Sequence, residues 1–288
     1  MPSSKKLSIL KKTQAFFEEQ VRLHKTPAFI ESDPVSIVHR YAQDPPSAEV
    51  VALITCLMAY GQRPAIIKTL ETLFYRFPND VSPVEFIKTT TRAELESRLD
   101  GWYYRFYTAE DMATLLLGLG HILRNYGSLK ASFLGASYSL IDDRQVLSQT
   151  THQWNQLLRK TLLQQRDGGL SYGCGYMFPN GKAGISPLKR LYLFLKWMVR
   201  FDADISPSVD LGFWADCIAP KALIIPLDTH VHAISLKHGL TQRKSKNLDT
   251  ALEITTVLSQ WHPEDPLIFD FAFMGIGTSK PNLSPIND

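Results

Sequence analysis

Two residues of this chain combine reactive chemistry with a local setting that suits covalent catalysis. Lys189 lies in Gly184-Ile-Ser186-Pro187-Leu-Lys189-Arg190, and Asp228 lies in Ile225-Pro226-Leu227-Asp228-Thr229-His230-Val231. Serine caps free backbone N–H groups and proline fits the first helical position, so Ser186-Pro187 predicts a helix from Pro187 to Arg200. Lys189 is then about its third residue, facing the positive end of the helix dipole. That field, with Arg190 beside it, favours the neutral amine, the form that attacks carbon. Asp228 follows a proline and precedes a run that stops at Gly239, so it reads as the N-cap of a helix from Thr229 to His238. Backbone N–H bonds keep such a carboxylate ionised, and a fixed anion can face developing positive charge. Spacing alone does not choose between this pair and an ordinary surface lysine with an ordinary helix cap.

The order of the surrounding segments adds to the pair. Upstream, Glu49-Val-Val-Ala-Leu-Ile-Thr-Cys-Leu-Met-Ala59-Tyr60-Gly61-Gln62 is an apolar helix that ends in a polar turn. Leu99-Asp-Gly101-Trp102-Tyr103-Tyr104-Arg105-Phe106 then leads to a helix closed by Tyr126-Gly127. With the Lys189 helix and Pro226-Leu227-Asp228-Thr229-His230-Val231, these segments resemble, in the same order, the helix-hairpin-helix DNA glycosylase superfamily of endonuclease III. The resemblance covers roughly Glu49 to Gly277. It implies an all-α, two-lobed fold with a cleft between the lobes. One lobe would be a helical barrel of residues 46–200 ending in the Lys189 helix. The other would combine residues 1–45 and 201–288.

By the same resemblance the function is that of a bifunctional DNA glycosylase and AP lyase, with Lys189 as nucleophile and Asp228 as stabilising carboxylate. The ligand is double-stranded DNA containing a damaged base, and no cofactor or metal is implied. The chain departs from endonuclease III where Ser186-Pro187 replaces a Gly-x-Gly hairpin tip, and where no cysteine follows Cys217 to hold an iron–sulfur cluster. These departures look closer to the archaeal 8-oxoguanine glycosylase branch, so the implied substrate is an oxidised purine. Gln62 and Asp270 are then expected to touch the base, and Trp102 or Phe194 to stack on it. The altered hairpin keeps open an alternative, a non-catalytic nucleic-acid-binding protein on a glycosylase-like fold.

The elements that must position these residues are helical throughout, with no alternating strand pattern. In the Lys189 helix, Leu188, Leu191, Tyr192, Leu195, Met198 and Val199 form an apolar face. Lys189, Lys196 and Arg200 form a separate stripe, seven and four residues apart, and with Arg190 they predict a track for a phosphate backbone. Arg243, Lys244 and Lys246 make a second basic patch past Gly239. Gly168 to Gly181 reads as a long irregular loop that walls the pocket, and Val209–Cys217 as a short helix inside the loop that follows Arg200. Lys221 is the alternative lysine, but no amphipathic helix follows it. His230 and His232, two residues apart on a helix, point to opposite sides and do not suggest a metal.

Global composition limits the class without naming it. The 288 residues carry a net charge of +3, 44% hydrophobic and 20% charged residues, which suits a globular protein with a full core. Three widely spaced cysteines argue for a reducing compartment rather than a disulfide framework. With no signal peptide and no membrane-length apolar run, the sequence predicts a cytoplasmic, nucleoid-associated monomer with no membrane partner.

Overall fold

Short polar residues ahead of apolar runs set most helix boundaries in this chain. The computed structural model describes residues 4–135, 139–181 and 188–278, within which fifteen α-helices make the fold all-α. After α1 (Ser4–His24) come two short helices, α2 (Ala28–Glu31) and α3 (Val35–His39). α4 (Pro45–Met58) begins at Asp44, whose carboxylate accepts the Ser47 backbone N–H at 3.5 Å. α5 (Arg63–Phe74) is followed by α6 (Pro83–Thr89) and α7 (Arg92–Arg98), capped by Ser82 and Thr91. α8 (Ala109–Tyr126) opens on a reciprocal capping box between Thr108 and Asp111 and closes on Gly127 at φ 84°, a conformation that favours glycine. The chain continues through α9 (Leu129–Leu134), α10 (Arg144–Gln164), α11 (Tyr172–Met177) and α12 (Lys189–Val199). α13 (Thr229–Lys237), α14 (Leu248–Trp261) and α15 (Asp270–Thr278) complete it, with 3-10 turns at Pro220–Ala222 and Pro266–Phe269.

Two helices organise the core. Every residue of α4 from Ser47 to Met58 is buried, as its all-round apolar sequence requires, and α3, α5, α6 and α12 pack on it. α8 is the second hub, in contact with α6, α7, α9, α10 and α11. The two ends of the chain meet where α1 packs along α15, with the Phe17 and Phe273 rings edge-on at 5.1 Å. Gly275 sits inside α15, where a Cβ would overlap the His24 ring, so glycine there permits the close approach of the two helices. Cys56, Cys174 and Cys217 are all free thiols and buried. Among the described residues no helix is long and apolar enough to cross a membrane.

The structure corrects four local expectations. Tyr103–Tyr104 (β1) and Tyr107–Thr108 (β2) form a small antiparallel ribbon, turned by Arg105 at φ 56°. The Gly168–Gly181 stretch is not wholly irregular, because the Ser171 hydroxyl accepts the Cys174 N–H and starts α11. Val209–Cys217 is not helical. Gly212 at φ 72° breaks it, and the Leu211 and Trp214 N–H groups instead donate to the carbonyls of Trp197 and Met198. The basic stripe of α12 is not solvent-facing, and this correction matters most for function. Lys196 and Arg200 are only 3% and 1% exposed.

These two cations enter a buried ionic network. Lys196 Nζ lies 2.9 Å from Asp270 and 3.4 Å from Asp210. Arg200 reaches Asp265 at 2.7 Å and Asp202 at 2.9 Å, and also pairs with Asp210. The Phe271 ring lies 5.0 Å from Lys196 Nζ and 5.5 Å from the Arg200 guanidinium. Burial works against both cations, but Asp210 with Asp270 for Lys196, and with Asp265 and Asp202 for Arg200, outweighs it and holds them charged. Neither side chain therefore lies on a solvent-facing stripe along which a phosphate backbone could run.

Two stability measurements check this arrangement. Asp210→Ala leaves Arg200 and Lys196 short of a carboxylate, and urea unfolding should show a loss of about 3–5 kcal/mol, the range for a broken buried pair. His238 stacks on Phe16 at 5.3 Å, and burial, with a smaller contribution from Lys237, lowers its pKa. Its neutral form is therefore the one that fits. The contribution is complete above the unfolded value of about 6.5 and is lost as pH falls through the lower folded value. The melting-temperature advantage of the wild type over His238→Asn should accordingly shrink between pH 8 and pH 5.

Candidate active site

α12 presents Lys189 at its very start. The preceding residue, Leu188, turns the chain in the left-handed region at φ 44°, and the helix begins at Lys189 itself. Lys189 is thus the first helical residue rather than the third; Ser186 and Pro187 lie outside the described residues. α13 presents Asp228 as the sequence predicts. Asp228 Oδ1 accepts the Val231 N–H at 2.8 Å, which fixes the carboxylate as an N-cap. Its other oxygen, Oδ2, lies 3.2 Å from Lys189 Nζ. The side chains are 31% and 32% exposed, so the pair is open to solvent and to a ligand. The amine and the carboxylate thus face each other at ion-pair distance, with the carboxylate held in place by the backbone.

Both residues line a cavity of about 470 Å³. This is within the range of roughly 300–1,000 Å³ typical of small-ligand pockets. Gln62 and Asp270, expected at the base, line it too. Gln62 is exposed in the turn between α4 and α5, and its side chain makes no capping bond. Lys196, expected to track a backbone, instead lines this cavity beside Asp270. Phe29, Asp33 and Arg63, which sequence reasoning passed over, complete its polar and aromatic wall. Arg63 Nε is 3.5 Å from Asp33, its guanidinium lies 5.3 Å from the Phe29 ring, and it donates to Met274 Sδ at 3.4 Å. Burial raises the Asp33 pKa, against the pull of the Val35 N–H and Arg63. The local signal for Asp33 was the Asp-Pro helix start, which announces a cap and says nothing of a cavity.

Other expected site residues lie elsewhere. Phe194 has no exposed surface; it stacks on Trp154 at 5.6 Å and meets Trp214 edge-on at 5.1 Å, so it cannot stack on a base. Trp102 is 4% exposed and packs in the core without lining the cavity. Arg190 does not line the cavity; it donates to the Tyr176 carbonyl at 2.6 Å, with its guanidinium 3.9 Å from that ring. Arg243 is exposed but pairs with Glu253 at 2.8 Å, and Lys244 is exposed. Lys246 Nζ approaches the Thr229 hydroxyl at 3.5 Å. Lys221 pairs with Asp142 at 3.1 Å, away from the cavity. His230 lines the cavity, whereas His232 is buried and bonded through Nε2 to the Arg243 carbonyl at 2.8 Å. None of residues 168–181 reaches the cavity, so the glycine-rich stretch does not wall it.

Residues 33–279 match the model of a family described as a protein of unknown function (DUF2400), and the chain belongs to that family. The matched span contains every cavity residue except Phe29. No curated protein and no solved structure matches the chain.

The double role of Asp228 separates in a pair of variants. Asp228→Ala loses both the cap and the ion pair, and urea unfolding should show a loss of about 1 kcal/mol. Asp228→Asn keeps a capping oxygen and should lose less, because a pair this exposed contributes little stability.

Proposed function

We propose that this protein is a DNA glycosylase with AP lyase activity, which excises a damaged base, an oxidised purine, through a Schiff base on Lys189. The observation that carries the reading is the Lys189–Asp228 pair lining one cavity, with Oδ1 held by the backbone and Oδ2 turned to the amine. The helix-hairpin-helix glycosylase resemblance of the sequence supports it.

The chemistry follows from the groups present. Lys189 gives up its proton, for which Asp228 Oδ2 at 3.2 Å is the nearest acceptor described. The freed lone pair attacks the sugar C1′, and the C1′–N bond breaks with its electrons leaving on the base, which takes up a proton. The proton taken up by the base comes from Asp228, so that its carboxylate is restored and stabilises the positive charge left on the sugar. Ring opening gives the protonated Schiff base. Loss of a C2′ proton then expels the 3′ phosphate with its electron pair, and water hydrolyses the imine to free Lys189. A base reaches this chemistry only when it is turned out of the stack into a pocket. There Gln62 and Asp270 would supply polar contacts to its edge.

Borohydride reduction tests the proposal directly. Wild-type protein incubated with a duplex containing 8-oxoguanine should give a covalent protein–DNA adduct, and Lys189→Gln should give none. Asp228→Asn should slow adduct formation by a factor of about 100 to 1,000, the usual effect of removing one preorganised electrostatic group. If the wild type binds the duplex but traps on no lesion of a panel, the protein is a binder on this fold. If Lys189→Gln still traps, the nucleophile is another residue.

A further inference from the structure

Beside the cavity, three distant stretches bring their aromatic rings together. Tyr60 sits between the cavity residues Ala59 and Gly61, Phe106 lies at the ribbon turn, and Tyr172 and Tyr176 lie on α11. Phe106 meets Tyr176 at 4.8 Å and Tyr172 at 5.2 Å, both edge-on, while Tyr60 lies 5.8 Å from Tyr176. Tyr172 and Tyr176 are nearly parallel, 18° apart. The cluster is not sealed into the core: Tyr172 is 73% exposed and Tyr60 43%.

Two cations are set among these rings. Arg105 holds its guanidinium 5.0 Å from the Tyr60 ring, and Arg190 lies 3.9 Å from that of Tyr176. Among the described residues neither has a carboxylate within ion-pair distance. The arrangement is built into the backbone. Arg105 takes φ 56°, unusual for a side chain of its size, and Gly61 at φ 125° leaves the space its guanidinium occupies, where a Cβ would overlap it. Exposed rings with uncompensated arginines match a ligand that offers flat π faces and negative charge together, which is the chemistry of an unpaired nucleotide. A second copy of this chain fits poorly, since a two-fold interface on this patch would set the same arginines against each other.

We propose that this surface stacks unpaired nucleotides of a DNA strand, so that the strand leaving the cavity is held single-stranded rather than as continuous duplex. The proposal rests on DNA being the ligand, as in the proposed function, but not on the lysine chemistry.

Fluorescence anisotropy of the full chain with labelled, undamaged oligothymidylate and with a blunt duplex of equal length tests it. The single strand should bind more tightly than the duplex. Tyr172→Ala should weaken strand binding by about 5- to 150-fold, the effect of losing one stacked base, and Tyr172→Phe should keep the affinity. Arg105→Ala should also weaken it and flatten the log–log salt dependence by about 0.7. Tighter binding of the duplex, or strand binding indifferent to Tyr172→Ala, would overturn the proposal. So would a wild-type dimer that Tyr172→Ala dissociates in sedimentation. Undamaged strands keep the readouts separate, because a missing borohydride adduct counts against the lyase and leaves this measurement untouched.

Discussion

The buried ionic network on α12 is the constraint on which the rest of the structure depends. Lys196 and Arg200 fix the far half of that helix to Asp210 in the following loop, to Asp265 before the last 3-10 turn and to Asp270 at the start of α15. Buried ion pairs add little net stability over well-packed apolar residues, because desolvation offsets most of the attraction. Their effect here is geometric. Charged groups without water accept few arrangements, so the network sets the position of α12 against the C-terminal segments and thereby places Lys189 opposite Asp228.

The same network supplies the polar end of the cavity. Lys196 and Asp270 belong to both, and Arg63 with Asp33 adds a second cation–carboxylate pair to the lining. The charged groups of the lining are thus already oriented by their partners. The opposition of Lys189 and Asp228 is more exposed than these pairs.

The cap at Asp228 was legible in the sequence, and the residues that open other helices show why. Asp44, Ser82, Thr91, Thr108, Asp143, Asp228 and Asn247 all accept a backbone N–H of the helix they precede. Capping is a matter of a few adjacent residues, so it can be read without knowing what surrounds them. Local reading failed where a distant partner decided the outcome. Val209–Cys217 has the composition of a helix, but its N–H groups find the carbonyls that end α12. Ser171 starts a helix inside a glycine-rich stretch because Cys174 and Gly173 pack against Asp111, with no room for a side chain at position 173.

The sequence by itself determined the all-α class, the cap at Asp228 and the apolar face of α12, since each rests on periodicity or on neighbours within one turn. It also singled out Lys189, Asp228, Gln62 and Asp270, all of which line one cavity. Only the tertiary structure decided the fate of the charges. Lys196 and Arg200 repeat at the spacing of a solvent-facing stripe, yet apart from Asp202 the acids that pair with them are ten to seventy-four positions away in the chain. Trp102 and Phe194 are equally apolar whether they line a cavity or fill a core, and burial is settled by what packs on them. Whether a side chain is free to meet a ligand depends on the sum of its neighbours in space, and one dimension of sequence does not contain that sum.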